Sequence, residues 1–532
     1  LGSDPLVRCE RHRPGQRQQR ERACAMASTA QAEQAAKAKI REYLDLTLPE
    51  CYIPELGEQK QGKVRSIYFS GKNVVMVTND RVSAFDYILP NLIPFKGQVL
   101  NMISEWAFGQ TKDIVPNALV ENVDENVVVQ KKMKNLNVEL IVRGYLWGSM
   151  AAAYEKGDRE FCGLKVPDGL IRFQKFDPPL FTPTTKAEVG HDENMTMEEV
   201  EKLVGKDLAN RAKDIAMKLY QRGSELMRKR GLILIDTKYE FGVDEKGVLH
   251  VIDEVNTPDS SRMCTVEEWE TKYPKIAAEM KTGKFKNVTE LMKAKPELKL
   301  KEFSKQYVRD ALLEMGFDPT KDKSAPKLSD DQVVECAYRY IRIYEQITGN
   351  VFQFPAKMAP AKRIIMNLQR NGMLVGCMAV IAAGSDSDMP HLETLAKELA
   401  KFKIPSQIRI CSAHKQPARL EGLLQEYNKS TEPIILVGCA GGTDALSGTA
   451  SYFAKFPVVS CPPDGMNQTC LTNPPGSSNS FICKPANVAK FAAQTFAVSC
   501  PVVSAALDAS IAEKIRKLEQ ADEQLLKKAR TT

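Results

Sequence analysis

The sequence predicts two domains of different class: an α+β domain over residues 38–350, then a smaller α/β domain with a doubly wound parallel sheet over residues 377–532. Three observations predict this. A chain of 532 residues exceeds the roughly 250–300 residues at which a single hydrophobic core stops growing. Strand and helix patterns in the first part are mixed with long loops, whereas the second part runs strand, helix, strand, helix, strand without interruption. That succession, with wholly apolar strands, belongs to a parallel sheet covered on both faces. Between the two, residues 349–376 carry two prolines, several basic residues and no clear period, and 351–376 reads as a linker.

Taken in order, residues 1–37 read as a disordered extension. Its start is Arg-rich, but Asp4, Glu10 and Glu21 disagree with a transit peptide, and Met26 reads as the translation start. Residues 62–78 (GKVRSIYFSGKNVVMVT) alternate apolar and polar side chains around a Ser70-Gly71-Lys72 turn, which predicts a β-hairpin. Further strands are predicted at 138–142, 232–235 and 248–252, and helices at 209–229 and 330–348, where apolar residues recur at helical spacing. In the second domain the strands are 378–383, 406–411 and 434–438, and the helices are 392–401, 419–427 and an amphipathic 510–528. Ligands of such a sheet bind beyond the carboxyl ends of its strands.

Composition excludes several function classes. Hydrophobic residues at 43% and charged residues at 27% match a soluble globular enzyme. No window approaches the roughly 20 apolar residues that span a bilayer, so no membrane is expected and the cytoplasm is the expected location. The net charge of +7 is spread among interleaved acids and bases. It forms no basic stripe with aromatic platforms, so nucleic acid is not an expected partner. Thirteen cysteines without a CxxC pair make neither a zinc nor a redox framework, and read as free thiols, most of them in the core.

Chemistry begins at residues 57–63, GEQKQGK, which match most of a P-loop. Val64 stands where Ser or Thr would bind magnesium, and a hairpin follows instead of a helix, so the P-loop is rejected. A glycine turn with Lys63 and Arg65 on adjacent strands still suits a triphosphate, as it suits an ordinary charged hairpin. Asp236-Thr237-Lys238-Tyr239-Glu240 places three charged side chains on one face of a strand. Asp253 and Glu254 are placed to meet Glu240 across a hairpin turned at 244–247. Carboxylates converging beside a lysine supply the hard oxygen ligands a magnesium nucleotide needs; a solvated ladder of ion pairs is the alternative.

In the second domain, Gly384-Ser385-Asp386-Ser387-Asp388 follows the first strand and precedes a helix. Its amides and hydroxyls suit an anion at a helix N-terminus or plain N-capping. Ser412-Ala413-His414-Lys415 follows the second strand in the same way, so the loops are neighbours. Of the chain's five histidines, His414 is the one at a strand's carboxyl end beside another polar loop. With Asp388 to orient it, its imidazole suits proton transfer near neutral pH; a structural histidine is the alternative.

In order, the segments GKVR, SAFD, RGYLWGS, FTPTTKAEVGHDEN, DTKYEFG, IDEVNTPDSSR and SKQYVRD resemble the SAICAR synthetase family over residues 38–350. The resemblance implies an ATP-grasp-like fold and an ATP-dependent ligation of L-aspartate to carboxyaminoimidazole ribonucleotide (CAIR), with Mg2+. It implies that Lys63 and Arg65 contact phosphates, that Glu240 and Asp253 hold magnesium, and that Lys238 lies near the nucleotide. Asp86, Arg143, Ser149, Asp259, Ser261 and Arg262 would line the CAIR and aspartate pocket. Lys186, Lys305 and Arg309 would be anion contacts, and His191 would orient aspartate or take an amine proton, or cap a helix.

The two polar loops of the second domain, with Ala440-Gly441-Gly442-Thr443 and Val459-Ser460-Cys461-Pro462-Pro463, resemble the AIR carboxylase family over residues 377–505. This implies a flavodoxin-like three-layer domain that adds carbon dioxide to C4 of aminoimidazole ribonucleotide (AIR). His414 would be the acid/base, Asp388 the substrate anchor, and Ser385, Ser387, Ser412, Lys415, Gly441 and Thr443 ribose or phosphate contacts. Lys415 and the Ser-Cys-Pro-Pro run are similar to the class II branch, which uses carbon dioxide directly. Thr443-Asp444 stands where class II enzymes carry Ser-Asn, and the wording of the first loop is closer to class I, the N5-CAIR mutases; because Thr443 keeps the hydroxyl, class II is the expectation. The expectation is a bifunctional enzyme of purine biosynthesis, a ligase joined to a lyase, assembled as a homo-octamer.

Overall fold

The computed structural model describes residues 31–85, 87–186, 192–301, 305–319, 321–465 and 467–531. The expected first hairpin is present: Arg65–Ser70 pairs antiparallel with Asn73–Thr78, and Ser70 faces Asn73 across a turn where Gly71 adopts a φ of 58°, which favours glycine. Gln59–Gln61 adds an outer strand, so a hairpin and no helix follows residues 57–63. With Val127–Lys131 and Leu119–Asp124 the sheet has five strands.

Tyr68, Val75, Val77, Val127 and Val129 cover one face of this sheet and pack with Ile364, Ile365 and Leu368. Those three lie on the helix Pro360–Arg370, inside the segment read as a linker without a period. Three apolar positions among lysines and arginines make a stripe too narrow to declare a helix from sequence. Proline at the first helical turn pre-sets the backbone, and Arg363 fixes the helix to the sheet. Its guanidinium donates to both Asp124 carboxylate oxygens at 2.9 and 3.0 Å and to Asn126 at 2.6 Å.

A second sheet of seven strands carries the chemistry of this domain. Its central strand, Leu232–Val243, pairs with Val138–Tyr145, Ser261–Thr265 and Leu249–Ile252. The apolar run predicted at 232–235 and the charged segment read as a strand at 236–240 are one continuous strand. Leu232 and Leu234 point into the main core with Tyr239 and Phe241, while Ile233 and Ile235 enter a separate cluster with Tyr145 and Trp147. The parity therefore changes along the strand. The cause is a bulge: against Ser261–Thr265, Leu234 faces Met263 and Asp236 faces Arg262, which leaves Ile235 as an extra residue. A bulge re-aims the side chains beyond it, and here it lets Tyr239 and Phe241 enter the core while Asp236, Lys238 and Glu240 share the other face. The helices Lys206–Lys229, Lys96–Thr111 and Asp330–Thr348 supply the remaining walls of the main core.

The second domain is a five-stranded parallel sheet in the order Ser406–Ile410, Met378–Ala383, Ile434–Cys439, Val458–Ser460, Ser480–Phe481. In sequence order this is 2-1-3-4-5, the flavodoxin-like arrangement. Met378–Ala383 is buried throughout: Ala379, Ile381 and Ala383 face one core, and Met378, Val380 and Ala382 the other. The expected three layers are present. No helix among the described residues is long and apolar enough to cross a membrane, and the cysteines among them are free.

The domains meet along residues 51–56. Tyr52 forms a bridge with Ser430 and its hydroxyl donates to Glu426 at 2.7 Å. The Glu55 N–H donates to Glu432 at 2.8 Å, and the Glu55 carboxylate accepts the N–H groups of Val375 and Gly376 at 2.6 and 2.9 Å. Glu432 is 3% exposed, and its Oε2 has no hydrogen-bond partner among the described residues. Burial, and the Glu55 carboxyl beside it, push the Glu432 carboxyl from its ordinary 4.5 up to about 8. A carboxyl raised on folding binds an extra proton between those two values, so its contribution to stability falls as pH rises through that window. Glu432→Gln keeps an acceptor for the Glu55 N–H and does not ionise. It is expected to stabilise the protein by roughly 1–3 kcal/mol at pH 8 and far less at pH 5, read by thermal unfolding. An equal shift at both pH values would contradict this.

Candidate active site

Two groups of side chains gather on the polar face of Leu232–Val243. The first surrounds Glu240 and Asp253. Glu240 faces Ile252 in the adjoining strand, and Asp253 follows directly with a φ of 64°. The expected meeting across the 244–247 turn is therefore observed. Lys186 pairs with Glu240, Arg65 with Asp253 and Glu254 at 2.7 Å each, and Lys238 with Glu139 at 2.5 Å. These are not surface ladders, because Glu240, Glu254 and Glu139 are all buried.

Burial and the neighbouring Asp253 charge raise the Glu240 carboxyl, with Lys186 and Lys238 offsetting part of the shift. Burial opposes ionisation of Asp253 too, but Arg65, Lys186 and Lys238 outweigh it and hold that carboxyl below its ordinary value. Burial likewise disfavours the Lys238 ammonium, and Glu139, Glu240 and Asp253 overcome it, so Lys238 stays charged. Unequal ionisation of two adjacent carboxyls is the expected result of like charges in one site. Lys63 lies exposed in the turn before Arg65.

The second group lies about 13 Å along the strand, four residues at roughly 3.3 Å each. Asp236 is paired with two guanidinium groups: Arg143 at 3.0 Å, and Arg262 at 2.9 and 2.8 Å. Two fixed cations on one carboxylate leave a net positive site, and the planar guanidinium fork suits carboxylate or phosphate. Arg262 crosses Gly148 so closely that a Cβ there would lie 1.6 Å from its Nη1. It ends beside the N-terminus of the helix Gly148–Lys156, where Ser149 is exposed.

Other expected residues are placed differently. Ser261 is buried and donates to Thr237 at 2.8 Å. Asp259 accepts from Lys96 at 2.8 Å and from Tyr340 at 3.1 Å. Arg309 lies 5.8 Å over the Phe85 ring, and its buried Nε has no hydrogen-bond partner among the described residues. Asp86, His191 and the Lys305 side chain lie outside the described residues. Sequence reading missed Glu139, which pairs with Lys238, and Lys96. Glu139 sits between Val138 and the apolar run Leu140-Ile141-Val142, and Lys96 stands between Phe95 and Gly97 in an apolar run. A lone charge in such a run was the available signal.

In the second domain the polar loops meet at the strand ends as expected. The Cys411 N–H donates to the Ala383 carbonyl at 2.8 Å, and a Cβ on Gly384 would lie 3.9 Å from the Ser412 Cα. Ser385 accepts the Ser387 N–H at 3.2 Å and the Ser387 hydroxyl at 2.9 Å, which is capping geometry. Ser412 accepts the Lys415 N–H at 3.2 Å. His414 and Lys415 are exposed, and no hydrogen bond joins His414 to Asp388 among the described residues. Gly441 and Thr443 are exposed in a third loop, where a Cβ on Gly441 would lie 3.9 Å from Pro463. Asp444, buried behind it, accepts the Ser447 N–H at 2.9 Å and holds the Ser460 hydroxyl. The four loops form one rim.

Residues 58–282 match the family model described as SAICAR synthetase, and residues 378–519 the model described as AIR carboxylase. The phosphoribosylaminoimidazole-succinocarboxamide synthase of Cytophaga hutchinsonii is 38% identical over 314 residues, spanning 58% of this chain and 93% of that protein. The corresponding Legionella pneumophila protein is 39% identical over 330 residues, spanning 61% and 98%. A solved SAICAR synthase from Saccharomyces cerevisiae, complexed with SAICAR, is 30% identical with a TM-score of 0.48, over 58% of this chain and 100% of that one. The solved PurE of Treponema denticola is 31% identical with a TM-score of 0.27, over 28% and 98%.

Proposed function

Because this chain belongs to the phosphoribosylaminoimidazole-succinocarboxamide synthase family and joins to it a domain matching AIR carboxylase, we propose that it makes CAIR at its second domain and consumes it at its first. The observation that carries the ligase half is the paired set Lys186–Glu240 and Arg65–Asp253 beside Lys238, further along the strand that holds Arg143 and Arg262 through Asp236.

In this reading the CAIR carboxylate attacks the γ-phosphorus of ATP, the bond to ADP breaks, and an acyl phosphate forms. The aspartate amine then attacks the acyl carbon, phosphate leaves, and the amine gives up a proton. No protein nucleophile is needed, and the residues supply in-line positioning and charge. Lys63, Arg65 and Lys238 neutralise the triphosphate. Arg143, Arg262 and Ser149 hold the anionic groups of CAIR and aspartate, with Arg309, Lys186 and Lys305 as further anion contacts.

Glu240 and Asp253 fit magnesium. Two hard carboxylates are the donor set this ion takes when a nucleotide and waters complete its six positions. Among the described residues no group of three or more His, Cys, Asp or Glu is arranged to hold a metal ion. When bound, magnesium neutralises phosphate charge.

In the second domain AIR is already nucleophilic at C4. It adds carbon dioxide, and His414 takes the ring proton from C4, with Asp388 anchoring the substrate and the serine loops holding ribose and phosphate. The exposed apolar residues Val498, Leu518 and Leu525 on and beside the helix Pro501–Thr531 support self-association through this domain, for which the proposed assembly is an octamer. Free thiols agree with a cytoplasmic location. The subclass is tested by supplying AIR with bicarbonate against N5-CAIR, both without ATP. CAIR from the first supply identifies the carboxylase; CAIR from the second alone identifies a mutase and sinks the direct route.

A further inference from the structure

Lys96 has no solvent exposure, and its ammonium is paired with Asp259 at 2.8 Å. The Tyr340 hydroxyl donates to the other Asp259 oxygen at 3.1 Å, and the Lys96 ammonium lies 5.5 Å over the Tyr340 ring. Lys96 opens the helix Lys96–Thr111 and Tyr340 lies within Asp330–Thr348, so two core helices grip one carboxylate. Asp259 belongs to the loop between the strands ending at Ile252 and beginning at Ser261. That loop carries Asp253 at one end and leads into Arg262 at the other.

The loop has other anchors. Arg65 pairs with Asp253 and Glu254, and the Gln130 amide exchanges hydrogen bonds with the Asp253 backbone at 2.9 and 3.1 Å. The Val255 N–H donates to Ser104 at 3.3 Å, and Tyr239 donates to Asn256 at 2.9 Å. Thr257 donates to Glu254 at 2.6 Å, the Ser261 N–H donates to the Thr257 carbonyl at 2.9 Å, and the Lys238 N–H donates to the Ser260 carbonyl at 3.1 Å. Among these contacts the Val255–Ser104 bond ties the first half of the loop to the helix Lys96–Thr111, and none ties the second half, beside Arg262, to either helix. A buried ion pair is weak support for stability, because apolar residues of similar size often replace it without loss. Its geometric effect is specific: it holds the second half of the loop, three residues before Arg262, against the two helices.

We propose that Lys96 and Tyr340 are positioning residues for the ligation, acting through Asp259 to set the span between Asp253 and Arg262. The inference rests on the ligase reading above. Displacing one group against the other leaves each able to bind its part of the substrates and misaligns the reacting ends, where about 1 Å costs on the order of 100-fold.

The test measures ligation kinetics of the full chain carrying Lys96→Met, or Tyr340→Phe as the milder change, per folded protein and with AIR turnover by the second domain as internal control. Expected is a kcat lower by about tenfold or more for Lys96→Met and by a few-fold for Tyr340→Phe, with KM for ATP and aspartate changed less than threefold. If Lys96→Met does not fold, Tyr340→Phe decides. A parental kcat in the folded variants overturns the proposal while the ligase reading stands. A parental chain that does not ligate overturns both.

Discussion

A His414→Asn variant loses conversion of AIR to CAIR by about 10²–10⁴-fold, the range that a positioned general acid or base supplies, and ligates added CAIR to aspartate at the parental rate. The imidazole is exposed on a turn where Ser412 accepts the Lys415 N–H, so asparagine fits without repacking. The rim it stands on is shaped by buried groups, with Asp444 holding Ser447 and Ser460 behind the third loop. A loss confined to the second domain is therefore a loss of chemistry and not of fold. If carboxylation survives in the variant, the acid/base assignment is wrong; if both activities fall together, the domains are not functionally separate.

Glu240→Gln raises the magnesium concentration needed for half-maximal ligation by about tenfold or more and lowers kcat by roughly 10–100-fold, since one of two anionic oxygen ligands becomes a neutral amide. The change also removes the charge that opposes Asp253 and the partner of Lys186. The variant has a second signature. Burial and Asp253 raise the Glu240 carboxyl, so in the parental protein a falling pH protonates it earlier than an ordinary carboxylate and the magnesium requirement climbs. In the glutamine variant that acid-side climb is flattened. A magnesium titration at several pH values measures both effects, and unchanged metal dependence would count against Glu240 as a ligand.

How much of this was legible in the sequence depended on whether a signal was local. The parallel sheet was readable because Met378–Ala383 and Ile434–Cys439 are apolar at every position, a pattern that sheets buried on both faces impose. The strand Leu232–Val243 was read in two pieces, 232–235 from its apolar run and 236–240 from its charged face, and not as one continuous strand. Its continuation depends on a bulge set by pairing with Ser261–Thr265, an event some 30 residues away in sequence. Asp236, Lys238 and Glu240 were correctly read as one face, but the buried partners that distinguish a site from a surface ladder, Glu139 and Arg143, come from another strand.

Asp259 shows the opposite limit. Its motif, TPDSSR, suggested a pocket residue, whereas its carboxylate is engaged by Lys96 and Tyr340 from two helices. A polar residue's type announces that it needs a partner, and only the fold says which. The helix Pro360–Arg370 was missed for the same reason: its meaning lies in Asp124 and Asn126 on the sheet it covers.

The most direct test of coupled production and use of CAIR is the fate of one carbon. The purified chain is given AIR, ¹³C-bicarbonate, ATP, magnesium and aspartate, and SAICAR is analysed by mass spectrometry while ADP is counted. The account predicts SAICAR carrying one labelled carbon with one ADP formed per molecule. Unlabelled or absent SAICAR, in a protein that still ligates added CAIR, would contradict it.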